Sequence, residues 1–327
     1  MKETPTRNLA LELVRVTEAA ALAAGRFMGR GDKIAADKAS VDAMRYMLNI
    51  IEINGIVVIG EGEKDDAPML FNGELVGAGN GPQVDIAVDP IDGTRPLSHG
   101  LPNSIATVAI APRGTMFDPG PYVYMDKIAV GPEAKGLVDI TAPVEDNLQK
   151  IARAKDIRLQ DLTVVILDRP RHADLIGEVR RLGCRIRLIL DGDVSGALMT
   201  AWPDSGIDVL LGVGGSPEGV LAACALRAMG GEIQGKLYAR NEDELQRGRE
   251  MGYDFNKVLT MQDLVASEDV FFAATGITDG ELLDGVKYHS QGARTSSLVV
   301  RGQSGTVRQI TSMHRLEKLR LISAIEY

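Results

Sequence analysis

The sequence is poor in the residues that build disulfide frameworks, zinc sites and nucleic-acid stacking surfaces. Its 327 residues include two cysteines, four histidines, one tryptophan and seven tyrosines. Cys184 and Cys224 lie in apolar or helical-looking stretches, which favours buried thiols in a reducing compartment, so we expect a cytoplasmic protein. The scarcity of His and Cys disfavours a structural zinc site. The formal net charge of −9 disfavours nucleic acid as a partner, because it would repel the phosphates.

Long uninterrupted apolar runs are also missing. The amphipathic N-terminal stretch contains Glu12, Arg15 and Glu18, which a signal peptide would lack. No window of about 18 residues is both apolar and uncharged, so we expect neither a membrane span nor a membrane partner. The length leaves room for roughly two domains of about 100–200 residues each.

Two helices followed by short strands are predicted for the first part of the chain. Apolar residues recur at alternating intervals of four and three between Leu9 and Phe27, which predicts a helix over residues 7–28. A second helix is predicted over residues 40–53, after a Gly-flanked loop at 31–38. Short apolar runs bounded by Gly, Pro and Asn predict strands at residues 56–59, 86–88, 105–110 and 124–130.

From about residue 140 the pattern changes to alternating strands and helices. Apolar runs that each precede an amphipathic stretch occur at residues 162–167, 185–190 and 209–212. This alternation is typical of βαβ units with a mainly parallel sheet. A later strand is predicted at 270–274, and the basic stretch 297–321 is expected to add two strands or a strand and a helix. We therefore predict an α+β domain over residues 1–140 and an α/β domain over residues 141–327.

Acidic residues cluster where two predicted strands end. Asp89 and Asp92 follow one of these strands at Pro90, which lacks the amide hydrogen needed to continue a ladder. The strand at 56–59 ends in four acids, namely Glu61, Glu63, Asp65 and Asp66. A lone Asp-Gly pair such as that at position 92 would be read as a turn.

The acids as a set predict a metal site. Asp37, in the loop before the second helix, is either a helix cap or a further member of the set. Carboxylates this dense repel one another unless a cation neutralises them, and oxygen-only sites favour Mg²⁺ or Mn²⁺. Two such ions about 4 Å apart would bind a phosphoryl oxygen and lower the pKa of a bridging water. The predicted chemistry is phosphomonoester hydrolysis by water, without a phosphoenzyme.

Three strands of the second half are each followed by a polar loop. The loops are Asp168-Arg-Pro-Arg-His172, Asp191-Gly-Asp-Val194 and Gly212-Val-Gly-Gly-Ser-Pro-Glu-Gly219. They should converge, because the carboxyl ends of parallel strands lie on one edge of a sheet. Arg169 and Arg171 are suited to clamp a phosphate, with a solvated surface pair as the alternative. Glu218 either complements its helix dipole or joins the metal cluster.

The glycine-rich loop does not fit a nucleotide site. The G-x-G-x-x-G pattern counted from Gly212 requires glycine where Pro217 stands, and a P-loop counted from Gly214 requires lysine where Val220 stands. Backbone amides at Gly214 and Gly215 could instead approach an anion at the helix start. His172 is expected at a helix start rather than as a general base.

These motifs together resemble a known family. Asp37, Gly60-Glu61-Gly-Glu63 and Asp89-Pro-Ile-Asp-Gly-Thr94 are similar to the acidic signature of the lithium-sensitive phosphatase superfamily. With the three polar loops, Gly29-Arg-Gly-Asp-Lys33 and Ala273-Ala-Thr-Gly276, nearly the whole chain resembles class II fructose-1,6-bisphosphatases. The resemblance implies a two-domain sugar-phosphatase fold, Mg²⁺- or Mn²⁺-dependent release of the 1-phosphate of fructose 1,6-bisphosphate, and a homo-oligomer, either dimer or tetramer.

The resemblance also implies a role for individual residues. The implied metal ligands are Asp37, Glu61, Asp89, Asp92 and Glu218. The implied substrate-binding residues are Asp92, Gly93, Thr94, Tyr124, Arg169, Pro170, Arg171, Asp191, Gly192, Asp193 and Gly215. By analogy with the wider superfamily, Thr94 and Asp65 are expected to orient the attacking water.

The chain departs from the family pattern at two positions, and other functions stay open. Position 92 usually carries Glu, so Asp92 shortens the reach by one methylene. The Trp-Asp element of the superfamily is missing, since Pro203 follows Trp202, and Glu218 would have to supply that ligand.

The alternatives are an inositol or polyol monophosphatase, a dual bisphosphatase that also accepts sedoheptulose 1,7-bisphosphate, and a non-catalytic sensor. The resemblance favours a gluconeogenic enzyme over the dual one, because family members with dual activity tend to carry an insertion where this chain has the short loop at 77–82.

Overall fold

The computed structural model describes residues 8–60, 70–322 and 325 of the chain. Its α-helices are α1 Ala10–Ala24, α2 Lys33–Asn49, α3 Thr94–His99, α4 Val144–Ala154, α5 Ala173–Arg181, α6 Asp193–Met199, α7 Ser216–Met229, α8 Glu242–Glu250, α9 Met261–Leu264 and α10 Leu316–Ile322. Its strands are β1 Asn54–Ile59, β2 Leu75–Val76, β3 Gln83–Asp92, β4 Ile105–Pro112, β5 Tyr124–Val130, β6 Thr163–Leu167, β7 Arg185–Ile189, β8 Val209–Gly215, β9 Glu232–Leu237, β10 Phe271–Gly276, β11 Lys287–His289, β12 Gly292–Arg301 and β13 Thr306–His314. None of the described helices is long and apolar enough to cross a membrane.

The strands form two mixed sheets, which confirms the predicted combination of α+β and α/β architecture. The first sheet has the order β11-β12-β10-β4-β3-β1-β2, and β13 lies alongside β12. The second has the order β7-β6-β8-β5-β9. In the second sheet β6 is parallel to both β7 and β8, as predicted, whereas β5 is antiparallel to β8 and β9.

Helices and sheets alternate in five layers. α1 and α2 pack on one face of the first sheet, and α4 and α5 pack on one face of the second. α6 and α7 lie between the sheets, where α7 contacts strands of both. The run of small and apolar residues in α7, from Gly219 to Ala228, is buried almost throughout, because a helix between two sheets has no solvent face.

The second helix begins earlier than the sequence predicted. Its first residue is Lys33, and the Asp32 side chain accepts a hydrogen bond from the Ala35 amide at 3.0 Å, which makes Asp32 the N-cap. Asp37 therefore lies inside the helix and is not the cap. The segment between the two residues is rich in Ala and Lys, which favour helix, and this local preference outweighs the glycine that precedes it.

The prediction that Pro90 ends its strand was wrong. β3 continues to Asp92, and its register against β4 shifts between Asp89 and Asp92. Pro90 thus sits in a bulge, where a missing amide hydrogen costs no ladder bond. The bulge re-aims the last residue of the strand, and Asp92 ends up fully inside the molecule at 2% exposure.

The predicted domains, residues 1–140 and 141–327, stay a prediction about which parts of the chain fold as units. The sheets are drawn from other stretches of the chain. β5, from the predicted first domain, belongs to the second sheet, and the chain returns to the first sheet from β10 onward.

Candidate active site

The predicted site residues that the structure describes come from strands of both sheets and from the helices and loops beside them. Asp37 lies in α2, and Asp89 and Asp92 lie at the end of β3. Thr94 begins α3 after Gly93, whose φ of 99° is the left-handed conformation that favours glycine. The remaining residues lie at or just after strand ends of the second sheet, namely Tyr124, Arg169, Pro170, Arg171, Asp191, Gly192 and Gly215, or in the first turns of α6 and α7, namely Asp193 and Glu218.

Helix α2 and the end of β3 are held together by hydroxyl groups. The Ser40 hydroxyl donates to the Pro90 carbonyl at 2.9 Å, which fixes α2 against the bulge. The Thr94 hydroxyl lies 3.3 Å from the Ile91 carbonyl and 3.5 Å from Asp37 Oδ1. Burial raises the pKa of Asp37 and the charge of Asp191 adds to this rise, although the Thr94 hydroxyl and Lys33 oppose it. The hydroxyl predicted to orient water thus lies beside a predicted metal ligand.

Asp92 crosses from the first sheet to the start of α6. Its carboxylate accepts the Ser195 amide at 2.9 Å and the Val194 amide at 3.4 Å. Burial and then the charge of Asp193 raise its pKa well above the ordinary range; the Ser195 hydrogen bond opposes this rise, and Glu218 and Asp191 add to it. The result is a buried cluster of acidic groups whose mutual repulsion a cation would relieve.

The glycines at the end of β8 make room for carboxylates. A Cβ on Gly214 would lie 1.9 Å from Asp193 Oδ2, and a Cβ on Gly215 would lie 1.6 Å from Glu218 Oε2. Any side chain at either position would displace one of these acids. The sequence predicted that the backbone amides of these two glycines approach an anion. In the structure, the absence of a side chain instead lets Asp193 and Glu218 lie against the backbone.

Lys127 was missed by sequence reasoning. It lies in the middle of β5 at 3% exposure, where its ammonium forms an ion pair with Asp193 and donates to the Gly215 carbonyl at 2.8 Å. It therefore ties the loop before α6 to the end of β8. The signal in the sequence was a lysine in the middle of a predicted strand, since a lysine that becomes buried there needs a charged partner.

Arg169 and Asp191 form the rim of the cluster. Arg169 Nη2 lies 3.5 Å from Asp191 Oδ1. Burial and the nearby charge of Arg95 lower the pKa of Arg169, and Arg171 adds to this effect, whereas Asp191 opposes it. Several cationic groups therefore face the same space as the acids, and an anion placed there would relieve their mutual repulsion.

The loop after β6 is anchored to β8 by two side chains. Arg171 donates from Nε and Nη2 to the Val213 carbonyl at 3.1 and 2.6 Å. His172 is buried and bridges the strands: its Nδ1 lies 2.7 Å from the Leu167 carbonyl, and its Nε2 accepts the Val213 amide at 2.8 Å. His172 precedes α5, as predicted, and these two contacts assign it the neutral Nδ1–H tautomer.

Tyr124 lies next to two cations. Its ring centroid is 5.3 Å from the Arg171 guanidinium carbon and 5.7 Å from that of Arg240. Arg240 was also missed by sequence reasoning, since it comes from the segment after β9 and nothing in the local pattern connects it with Tyr124. The two guanidinium groups and the phenol form a polar, cationic surface beside Gly215, which pairs with Tyr124 across the sheet.

The chemistry of the donor set fits a hard divalent cation. Asp37, Asp89, Asp92 and Glu218 offer oxygen atoms only, which are the ligands of Mg²⁺ and Mn²⁺. Within residues 8–60 and 70–322, no three His, Cys, Asp or Glu side chains already form a ligand set for a metal ion. The predicted ligand Glu61 and the predicted catalytic residue Asp65 lie outside the described residues.

The fold and the site are typical of a hydrolase that acts on a phosphate ester of a sugar. A family model described as bacterial fructose-1,6-bisphosphatase, glpX-encoded, matches residues 7–314 of the chain. The fructose-1,6-bisphosphatase 1 class 2 of Escherichia coli strain K12 is 47% identical over 325 residues, which covers 95% of this chain and 96% of that protein. The class 2 enzymes of Escherichia coli O6:H1 and Shigella flexneri match with the same identity and coverage.

The chain belongs to the bacterial class 2 fructose-1,6-bisphosphatase family. Members of this family are phosphoric monoester hydrolases that depend on a metal ion and act on a sugar bisphosphate. The resemblance on the acidic motifs and the three polar loops therefore identified the family from the sequence.

Proposed function

We propose that the chain hydrolyses the 1-phosphate of fructose 1,6-bisphosphate to give fructose 6-phosphate and phosphate, as a step of gluconeogenesis. The observation that carries the proposal is the contact of Asp92 with the start of α6, because it joins the acidic end of the first sheet to the polar loops of the second. A bisphosphate needs both halves, one for the reacting phosphate and one for the other phosphate and the sugar.

The acidic half is proposed to hold the metal ions. Asp37, Glu61, Asp89, Asp92 and Glu218 are the ligands that we propose. When bound, Mg²⁺ or Mn²⁺ supplies Lewis acidity to the phosphoryl group and lowers the pKa of a water molecule. We propose that Thr94, whose hydroxyl lies 3.3 Å from the Ile91 carbonyl, orients that water together with Asp65.

The cationic half is proposed to hold the sugar and the second phosphate. Arg169, Arg171 and Tyr124 line this half, and Asp191 and Asp193 are acceptors for sugar hydroxyls. Pro170, Gly192, Gly93 and Gly215 provide the backbone between these side chains. Arg171 holds the Val213 carbonyl, so its planar group is oriented before a substrate arrives, which reduces the entropy lost on binding.

We also propose the identity of the metal, the wider superfamily, the cellular location and the oligomeric state. The metal is Mg²⁺ or Mn²⁺, the family is part of the wider lithium-sensitive phosphatase superfamily, and the protein acts in the cytoplasm as a homo-oligomer. The oxygen-only donor set supports the choice of metal, and the scarcity of cysteine supports the cytoplasmic location.

The test compares substrates that carry one and two phosphates. Phosphate release is measured with Mg²⁺ and with Mn²⁺ for fructose 1,6-bisphosphate, fructose 1-phosphate and inositol 1-phosphate. We expect a preference for the bisphosphate. The Arg171→Ala variant should raise KM for the bisphosphate by a larger factor than it lowers kcat, and should change the monophosphates little.

Arg158→Ala is the matched control. Arg158 is an exposed arginine that pairs with Asp161 away from the site, so this variant should keep the wild-type constants. An unchanged KM for the bisphosphate in Arg171→Ala would overturn the assignment of the second phosphate. Equal turnover of inositol 1-phosphate and the bisphosphate would favour a monophosphatase.

A further inference from the structure

Strand β13 leaves a long edge of the first sheet open. It pairs with β12 over its full length of nine residues, from Thr306 opposite Arg301 to His314 opposite Ala293. In the part of the chain that the structure describes, β12 is its only strand neighbour. An open edge of this length exposes a row of backbone donors and acceptors, which is a template for another strand.

The other sheet edges are protected in ways that β13 is not. At the opposite end of the first sheet, β2 has only two residues. In the second sheet, β7 carries Arg185 and Arg187, and β9 is covered by a bridge from Gly235 to Leu259. Short strands, charges and covering segments are the usual means of blocking edge pairing. β13 has one permanent charge, Arg308, and exposes the apolar side chains of Val307 and Met313 at 40% and 69%.

We propose that β13 pairs antiparallel with β13 of a second copy of this chain, about a two-fold axis that runs between the two strands level with Ile310, so that Ile310 lies opposite Ile310 of the partner subunit. Opposite residues in an antiparallel pair share one face of the sheet. The axis must therefore lie level with a residue, and not with the peptide bond between two residues. Ile310 is the middle residue of β13, and an axis there lets all nine residues overlap. The interface is then isologous, as expected for a symmetric dimer.

The side chains select this register. With the axis at Ile310, Val307 lies opposite Met313 of the partner subunit, so each exposed apolar side chain meets the other. An axis at Arg308 would place two guanidinium groups opposite each other, and like charges directly opposite are destabilising. An axis at Gln309 or at Thr311 would shorten the overlap and separate Val307 from Met313 of the partner subunit.

A groove beside β13 fits the same arrangement. It has a volume of ≈ 540 Å³ and is lined by Ala201, Trp202, Pro203, Met229, Val307 and Gln309. Val307 and Gln309 lie on the same face of β13, because they are two positions apart. Met313 of the partner subunit would lie on this face beside Val307, where an unbranched thioether side chain can fill an irregular apolar groove. Strand β13 of the second copy would therefore cover both the groove and the strand edge.

A pair of cysteines tests the register. Opposite residues of antiparallel strands have Cα atoms about 4.5–5.5 Å apart, which a disulfide can span. The variant Val307→Cys/Met313→Cys should therefore form a covalent dimer under mild oxidation. The single variants Val307→Cys and Met313→Cys should not, because each cysteine would lie about 20 Å from its own copy across six residues of strand. Cys184 and Cys224 are buried and should not react.

Solution mass tests the interface without a cross-link. Light scattering of the wild type should give at least twice the 35.1 kDa of one chain. The Val307→Lys/Met313→Lys variant should halve that mass, while Met251→Lys, an equally exposed methionine on another surface, should not change it. A monomeric wild type, or single cysteine variants that cross-link as well as the double variant, would overturn the proposal. An unchanged mass in the lysine variant would assign the oligomer to another surface and would also overturn it.

Discussion

Lys127 shows how one side chain can connect the two loops of the second sheet that enter the site. Its ammonium is buried with the carboxylate of Asp193 and the carbonyl of Gly215. Removal of one member of a buried ion pair leaves the other charge desolvated and unpaired, whereas removal of both members leaves no charge behind. Lys127 therefore acts as a positioning residue, since it reaches the site through its partners.

Lys127→Met should lower the free energy of unfolding by about 3–5 kcal/mol. The double variant Lys127→Met/Asp193→Asn should recover part of that loss, because the unpaired carboxylate is gone. Urea denaturation followed by circular dichroism provides the measurement. Lys38→Met, which removes an exposed pair with Asp42, should cost at most about 1 kcal/mol. Equal losses of unfolding free energy in Lys127→Met and Lys38→Met would contradict the buried ion pair on which the positioning role depends.

His172 makes the stability of the second sheet depend on pH. Burial lowers its pKa, and the charge of Arg171 adds to this, although the Leu167 carbonyl opposes it. Protonation of Nε2 would remove the acceptor of the Val213 amide. Because the folded-state pKa lies below the unfolded value of about 6.5, the unfolded chain binds more protons on acidification. The stabilisation is complete well above pH 6.5 and declines as the pH falls through that value.

The urea midpoint of the wild type should therefore fall between pH 8 and pH 5.5. His172→Gln can make both hydrogen bonds without titrating, so its midpoint should fall less over the same interval. Comparison of the two proteins cancels the contribution of His314, whose pKa burial also lowers. Parallel changes in both proteins would exclude His172 as the source.

At the scale of elements, the end of β8 determines where the acids lie. Gly215 leaves the space that Glu218 occupies, and α7 begins one residue later. Gly215→Ala should displace Glu218 and weaken metal binding by about 10- to 100-fold, which is typical for residues that support metal ligands. Calorimetric titration with Mn²⁺ measures this directly. Gly177→Ala is the control, since no atom lies near its added Cβ and alanine favours helix α5. Wild-type Mn²⁺ affinity in Gly215→Ala would contradict this account of Glu218.

Periodicity predicted most elements, and their ends were the weak point. The strands at 162–167, 185–190 and 270–274 are found within a few residues of their predicted positions as β6, β7 and β10. The start of α2 and the bulge at Pro90 were not predicted, because a cap and a bulge depend on single hydrogen bonds and on the neighbouring strand. Both errors fall beside predicted metal ligands, where local rules are often broken for function.

The site could be predicted as a set of residues but not as a geometry. Arg169, Asp191 and Glu218 were identified from predicted loops after strands. Arg169 and Asp191 follow strand ends as predicted, whereas Glu218 lies in the first turn of α7, because β8 continues to Gly215 and α7 begins at Ser216. The contact of Asp92 with Ser195, more than a hundred positions away, has no local signal in the sequence. Lys127 carried a local signal, but its partners Asp193 and Gly215, like the Tyr124 ring beside Arg240, come from distant parts of the chain.

At the scale of the whole molecule, α7 makes the two sheets one unit. It contacts strands of both sheets, and the chain crosses between the sheets more than once. Neither sheet can lose α7 without exposing a large apolar surface. Unfolding should therefore be a single cooperative transition, in which the domains predicted at 1–140 and 141–327 do not separate.

Trp202, the single tryptophan, reports on the middle layer, whereas far-ultraviolet circular dichroism reports on all helices. Urea transitions followed by tryptophan fluorescence and by circular dichroism should coincide. Two separated transitions would show that the sheets unfold independently and would support the boundary near residue 140.

We propose that acids from both sheets hold divalent cations that activate water against a bound phosphate ester. The most direct measurement is phosphate release from fructose 1,6-bisphosphate before chelation, after chelation, and after return of Mg²⁺ or Mn²⁺. We predict that chelation reduces the rate by at least about 100-fold, since loss of the ions removes both the activated water and the stabilisation of charge in the transition state. Return of the metal should restore the rate, and an Asp89→Asn variant should stay inactive. Full turnover by the chelated protein would contradict the account.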